Sequence, residues 1–374
     1  MSTLPHPSLW LTVVAFVCAL GPLVFFHELG HYLVARLFGI PAETFSIGFG
    51  QEIFGWTDGQ GTRWRVSWLP LGGYVKFVGD MTPASNPAEL DDIPPELRDR
   101  AFQLRPVWQR FLVVLAGPAA NFLLAMLIFA VFFSVVGAPM SSTVGAVQPN
   151  TPAAKAGIQK GDRILSLAGR PTPTFADLAN ATAVRPGETV IVRVQRGELT
   201  RDLRLTLGAD SMKAPNGEQV RRGLLGIAPD VTALKPLPLS HAIPEAVSET
   251  YRMTRANVDA IVQMARGYVS PRQIGGPISI ANVAGDVASM GPIEFVALLA
   301  LLSINLGFIN LLPVPMLDGG HLFFYIVEMV RRRPVSVATL DWAFRGGLAL
   351  VLALLLFATG NDLGLWSRLE RLIG

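Results

Sequence analysis

The sequence predicts a polytopic α-helical membrane protein: four transmembrane helices, membrane-associated β-hairpins and one extracytoplasmic α+β domain. Three observations predict it. Only 16% of the 374 residues are charged and 51% are hydrophobic, against roughly 25% charged in soluble domains. The apolar residues gather near the start, around 108–137 and in two stretches after 290. Between them lies a mixed-polarity region long enough for one domain of roughly 100 residues.

Residues 1–40 hold the first span, about Leu9 to Phe38, ended by Gly39 and Pro41. At ~1.5 Å per residue it is ~45 Å long, more than the ~30 Å hydrocarbon core requires. Residues 1–10 contain no Lys or Arg, so a retained helix is expected and not a cleaved leader. Residues 41–107 form a cytoplasmic-side β-hairpin or re-entrant region. Positions 45–77 alternate apolar and polar, as in RWRVSWL, with a turn signal at Asp58–Gly59. The second span, about Arg110 to Val136, lies within 108–138.

Residues 139–230 give the folded domain: a strand, a small helix near Ala153–Ala156, a turn at Lys160–Asp162 and a strand at Arg163–Leu167. Residues 231–290 form an amphipathic connector. Val247, Tyr251, Val258, Ile261 and Met264 have helical spacing, which suits the membrane surface or packing against the domain. Residues 291–335 hold the third span, about Pro292 to Leu312, and the segment NLLPVPMLDGGH; residues 336–374 hold the fourth, about Leu340 to Phe357.

Short flanking segments set the orientation. Arg63, Arg65, Lys76, Arg98, Arg100 and Arg105 lie between the first two spans, and Arg331, Arg332 and Arg333 follow the third. These sites belong on the cytoplasmic side. The N-terminus, the domain and the C-terminus are then extracytoplasmic; Arg368 and Arg371 oppose this mildly, with Glu370 between them. The net charge of +3 carries no basic stripe, so nucleic acid is not an expected partner. Cys18 is the sole cysteine, which excludes an intramolecular disulfide and a cysteine metal site.

The first span reads FFHELGHYLVARLFG, containing His27, Glu28 and His31. Residues four apart share a helix face, so two imidazoles can grip one metal ion, with Glu28 placed to take a proton from an attacking water. An incidental HExxH is disfavoured here, because polar side chains in lipid cost several kcal/mol. A catalytic zinc usually takes three protein ligands. Asp318 is the leading candidate for the third. Pro313 and Pro315 prevent a regular helix before it, and Gly319 and Gly320 free the backbone beyond. The alternative for this segment is a helix-ending turn; His321 is a weaker rival ligand. His27 lies ~27 Å along the first span, in its cytoplasmic half, and Asp318 ends a parallel span, so the two meet at similar depth.

HELGH and LPVPMLDGG resemble the site-2 protease family of intramembrane zinc metalloproteases, closest to its bacterial regulator-of-sigma-E protease branch. FSIGFG, LPLGGYVKF, AGPAANF and GGPISI extend the resemblance over essentially the whole chain. It implies a zinc metalloendopeptidase with His27, His31 and Asp318 as Zn²⁺ ligands and Glu28 as catalytic base. It also implies Asn310, Pro313 and Pro315 near the substrate. Asn121 matches the GPxxN motif, with helix–helix packing as the other reading. The 139–230 domain resembles a single PDZ domain, which binds peptides at a sheet edge, where branch members often carry two. The implied setting is the bacterial cytoplasmic membrane. The implied partners are lipid, a peptide at the PDZ domain and a single-span substrate, such as a pre-cleaved anti-sigma factor or a remnant signal peptide. An intramembrane metal transporter and a non-catalytic PDZ scaffold are the rival classes.

Overall fold

The computed structural model describes residues 7–79, 93, 95–137, 142–213, 219–229, 236–267, 270 and 275–365. Arg368, Arg371 and the ends of the expected 139–230 domain lie outside the described residues. In chain order the helices are α1 (Leu9–Leu37), α2 (Pro95–Arg98), α3 (Val107–Val135), α4 (Pro152–Lys155), α5 (Phe175–Ala183), α6 (Leu239–Ala265), α7 (Pro277–Met290), α8 (Pro292–Asn310), α9 (Asp318–Arg331) and α10 (Val337–Asp362). The strands are β1 (Ala42–Thr57), β2 (Arg63–Phe77), β3 (Val144–Val147), β4 (Arg163–Leu167), β5 (Arg170–Pro171), β6 (Thr189–Arg196), β7 (Leu199–Thr206), β8 (Gly208–Lys213), β9 (Gln219–Leu224) and β10 (Ile227–Pro229).

Among the described residues, α1, α3, α8 and α10 are long and apolar enough to cross a membrane. Their ends differ from the expected ones by a few residues, most at α10, which runs on to Asp362. The chain divides into two compact units, residues 1–125 with 280–357 and residues 126–279 with 358–374.

In the first unit, α1 starts on a Ser8 cap, whose hydroxyl accepts from Leu11 N at 3.2 Å. It meets α3 through small residues. A Cβ on Gly30 would stand 2.3 Å from Ala116 O and 2.8 Å from Ala120 Cβ. Lipid offers no hydrophobic drive for helix association, so close backbone approach is what holds such pairs. β1 and β2 form a single long hairpin that folds on itself, where several hairpins were expected. The first half of β1 pairs on both sides: Phe45 sits opposite Val75 and also opposite Trp64. Asp58 sets the turn by accepting from Gln60 N (2.8 Å) and Thr62 N (3.0 Å). Its other oxygen takes the Trp64 indole N–H (2.9 Å) and the Tyr32 hydroxyl (3.2 Å), tying the turn to α1. Phe45, Tyr32, Ile40, Phe77 and Val113 form the core beneath.

In the second unit the sheet runs β5–β4–β6–β7, with β10–β3 and β8–β9 as separate pairs. Val190, Val192 and Val194 alternate inward along β6, the period-two pattern of a strand with one buried face. They join Val144, Ile164, Leu178 and Leu225 in one core. Thr174 and Asp177 form a capping box at the start of α5. Asp162, which is 1% exposed, takes two hydrogen bonds from Arg196, at 2.7 and 2.8 Å, and one from Gln159 N at 2.8 Å. Asp362, at the end of α10, accepts from Gly276 N, Ile278 N and Ser279 N at 2.9–3.1 Å. It thereby satisfies donors that the start of α7 leaves free.

Candidate metal centre

His27 and His31 lie one turn apart on α1, so their rings project from the same face. Asp318 opens α9, directly after the segment 311–317 that ends α8. The segment is non-helical, as Pro313 and Pro315 require. Gly319 and Gly320 have a different purpose from the one expected: they are helical, and their lack of a side chain permits contact. A Cβ on Gly319 would stand 2.1 Å from Leu312 O, and one on Gly320 2.5 Å from Val314 O. The loop therefore folds back onto its own helix and delivers Asp318 to α1.

There Asp318 Oδ2 lies 3.1 Å from His27 Nε2 and 3.5 Å from His31 Nε2. The two imidazole nitrogens are 3.3 Å apart. All three side chains are largely buried, and the carboxylate oxygen Asp318 Oδ2 accepts no hydrogen bond. Three electron pairs facing one another in a dry site repel unless a cation or a proton lies between them. The spacing suits a metal: ligand atoms ~2.0–2.1 Å from a tetrahedral zinc stand ~3.3 Å apart. The donor set fits a metal of that size, and His27, His31 and Asp318 are the cluster among the described residues that could hold one. His321 does not join it; its ring packs on Phe344, centroids 4.8 Å apart.

Each ring is held from behind. His31 Nδ1 lies 2.9 Å from Val113 O, to which it can only donate. Its Nε2 lone pair therefore faces Asp318. Pro118 inside α3 has no N–H for Val114 O, and the carbonyl beside that gap is the one His31 uses. Behind His27, Nδ1 lies 3.0 Å from Asn121 Nδ2. Asn121 is fully buried, its Oδ1 has no hydrogen-bond partner, and its backbone carbonyl accepts from Ser303 Oγ at 2.8 Å. Turning the amide over about its last bond exchanges two ends of nearly equal shape and puts the partnerless oxygen on the ring, where it accepts Nδ1–H and leaves Nε2 free for the cluster. Such outer partners fix the tautomer of metal-binding histidines.

Glu28 is 9% exposed and sits between α1 and the second half of β2. The Val75 backbone N–H donates to its carboxylate. A Cβ on Gly73 would stand 3.1 Å from Glu28 Cγ and 2.7 Å from Val24 Cγ1. Asn310 Nδ2 lies 3.5 Å from His27 Nε2, at the rim of the cluster. Pro313 is exposed beside it. Pro315 is boxed in: a Cβ on Gly347 of α10 would meet its carbonyl at 2.3 Å.

Sequence reasoning did not find Val113, Ser303, Gly73 or Gly117. A Cβ on Gly117 would stand 2.2 Å from His31 Nε2. Its only visible signal was the run of small residues in AGPAANF.

The model of a known family, peptidase family M50, matches residues 15–354. A Rhizobium meliloti protein named "Putative zinc metalloprotease" is 43% identical over 366 residues, covering 95% of this chain and 97% of its own. An Agrobacterium fabrum protein of the same printed name is 39% identical, covering 97% and 99%. The Caulobacter vibrioides "Metalloprotease MmpA" is 38% identical over 381 residues, covering 94% and 95%.

Proposed function

The chain belongs to peptidase family M50, and on that premise we propose that it is an intramembrane zinc endopeptidase. It cuts a peptide bond within or near a transmembrane segment of a single-span protein. The observation that carries this reading is that His27 and His31, inside a membrane-length helix, stand at zinc-ligand spacing from each other and from Asp318 of α9, with Glu28 next to His27 in the same helix.

In this mechanism His27, His31 and Asp318 are the ligands. A zinc ion bound there supplies Lewis acidity that polarises the scissile carbonyl and makes water a stronger acid. Glu28 takes the proton of the attacking water and returns it to the leaving amine. Burial strengthens each of these interactions by excluding competing solvent. Asn121 and the Val113 carbonyl hold the imidazoles, and Asn310 at the rim is placed to bond a carbonyl of the cleaved segment.

A helical peptide bond is shielded by its own hydrogen bonds, so the substrate must be extended before attack. The edge of β2 around Gly73–Val75 lies against Glu28, which suits strand addition of an unwound segment. Residues 139–230 act as a PDZ-like domain that engages a peptide or excludes bulky substrates. The charge bias puts this domain and both termini outside the cytoplasm of a bacterial cell and the metal centre toward the cytoplasmic side. Anti-sigma-factor-like proteins and remnant signal peptides are the substrate classes that fit.

The test is metal content together with cleavage of a tagged transmembrane peptide by the purified protein. One zinc per chain, and cleavage lost to a chelator and restored by zinc, is expected. Zinc flux into liposomes without cleavage would establish the transporter class instead.

A further inference from the structure

His27 and His31 sit on α1 and Asp318 on α9, so their spacing depends on how α9 is turned about its own axis. A side-chain oxygen stands roughly 5–6 Å from a helix axis, and a turn of ~20° carries it ~2 Å. That is the length of a zinc–ligand bond. The loop before α9 holds one end of that helix, through the contacts of Gly319 and Gly320. A second hold farther along is needed to fix its turn.

That hold lies at the foot of α3. The Arg110 guanidinium donates through Nη2 to Glu328 Oε1 at 2.7 Å and through Nε to the Arg105 carbonyl at 3.1 Å. Its central carbon lies over the Tyr325 ring, 5.0 Å from the centroid. The side chains of the ion pair are 16% and 19% exposed, so water competes little for them. Tyr325 is seven residues on from Asp318 and nearly eclipsed with it along α9, and Glu328 is one turn farther. Arg110 itself lies one turn before Val113, whose carbonyl holds His31. One guanidinium thus ties the helix that delivers Asp318 to the helix that orients the opposing imidazole.

We propose that Arg110 is a positioning residue for the metal centre: by holding Glu328 and Tyr325 it sets the turn of α9 that brings Asp318 to His27 and His31. The inference rests on the zinc reading given above. The role calls for a planar fork and not for charge alone. Lysine would keep the charge but lose the Nε bond to Arg105 and the plane that lies on Tyr325.

The test is a double-mutant cycle on the purified full chain, with zinc affinity read by competition against a chelator of known strength. Arg110→Ala should weaken binding at least ~10-fold, as loss of an outer partner does, and Arg110→Lys should recover only part of this. An Asp318→Ala background retains the two imidazoles. There Arg110→Ala should change the affinity by less than about twofold, because the ligand it positions is gone. Cobalt(II) in place of zinc reports the ligand geometry in its visible spectrum, and that of Arg110→Ala should move toward that of Asp318→Ala. An equal loss of affinity in both backgrounds would assign Arg110 to general packing and overturn the inference, as would unchanged affinity. Should Arg110→Ala fail to fold, Arg110→Lys carries the same cycle: a loss confined to the chain with Asp318 supports the role, and no loss or an equal loss overturns it. If the parent chain binds no zinc, the metal reading itself falls; if it binds zinc and an overturning result is seen, only this inference falls.

Discussion

The amide of Asn121 lies 3.0 Å from Nδ1 of His27, the ring nitrogen that faces away from Asp318. In a helix that packs in lipid, a buried amide could serve merely to join two helices. Here it is aimed at a candidate ligand, and the backbone carbonyl of the same residue accepts from Ser303 of α8. Asn121→Ala should therefore lower zinc affinity ~10–100-fold, the usual cost of losing an outer partner. Asn121→Asp should recover most of it, because a carboxylate accepts the same Nδ1–H. Competition against a chelator of known strength measures both. Unchanged affinity in the alanine variant would return Asn121 to a packing role.

Glu28→Gln should keep one zinc per chain and lose cleavage by at least ~10²–10⁴-fold, the range for a general base. Metal analysis and turnover of a tagged transmembrane peptide read the two separately. Full turnover by this variant would end the assignment of Glu28.

Gly117 and Gly21 make a matched pair in the membrane. A methyl at Gly117 meets His31 Nε2 at 2.2 Å, whereas one at Gly21 meets nothing within 4 Å. Gly117→Ala should displace the imidazole and cost zinc binding, and Gly21→Ala should leave both binding and cleavage intact. Equal behaviour of the two would contradict the packing of α3 behind His31.

In the folded domain, burial of Asp162 opposes its ionisation, but the Arg196 guanidinium and the Gln159 N–H outweigh it and hold the carboxyl below the usual range. A lowered folded value means that the contribution to stability is fully present above the unfolded value of ~3.9. It is lost as the pH falls through the folded value. Hydrogen-exchange protection of β4 and β6 should decline on acidification in the parent chain. Asp162→Asn should start lower at neutral pH and change less, since it has no proton to gain.

The spans and both halves of the metal cluster are legible in the sequence because lipid imposes a composition rule. Twenty or so apolar residues are needed, and a His or Asp among them stands out. Helix period puts His27 and His31 on one face without further information. What supports them is not legible. The Val113 carbonyl carries no side-chain signature, and Ser303 looks like any small residue in α8. The reach of Asn121 depends on a helix contact set by Gly30 and Ala116. The self-folded hairpin was missed for a related reason: alternation marks strands but not which strand flanks which, and Phe45 has partners on both sides. In α6 the spacing of Val247, Tyr251 and Val258 fixed a stripe, yet periodicity cannot say whether a stripe faces inward or outward.

The contact at Gly30 and Ala116 is closer than a single methyl group would allow. A membrane-plane visitor has no doorway between α1 and α3, and widening one would mean prising apart two backbones. On the function proposed above, an extended substrate reaches the cluster by another flank, and the one bordered by Gly73 and Val75 beside Glu28 would set its chain next to a strand able to straighten it.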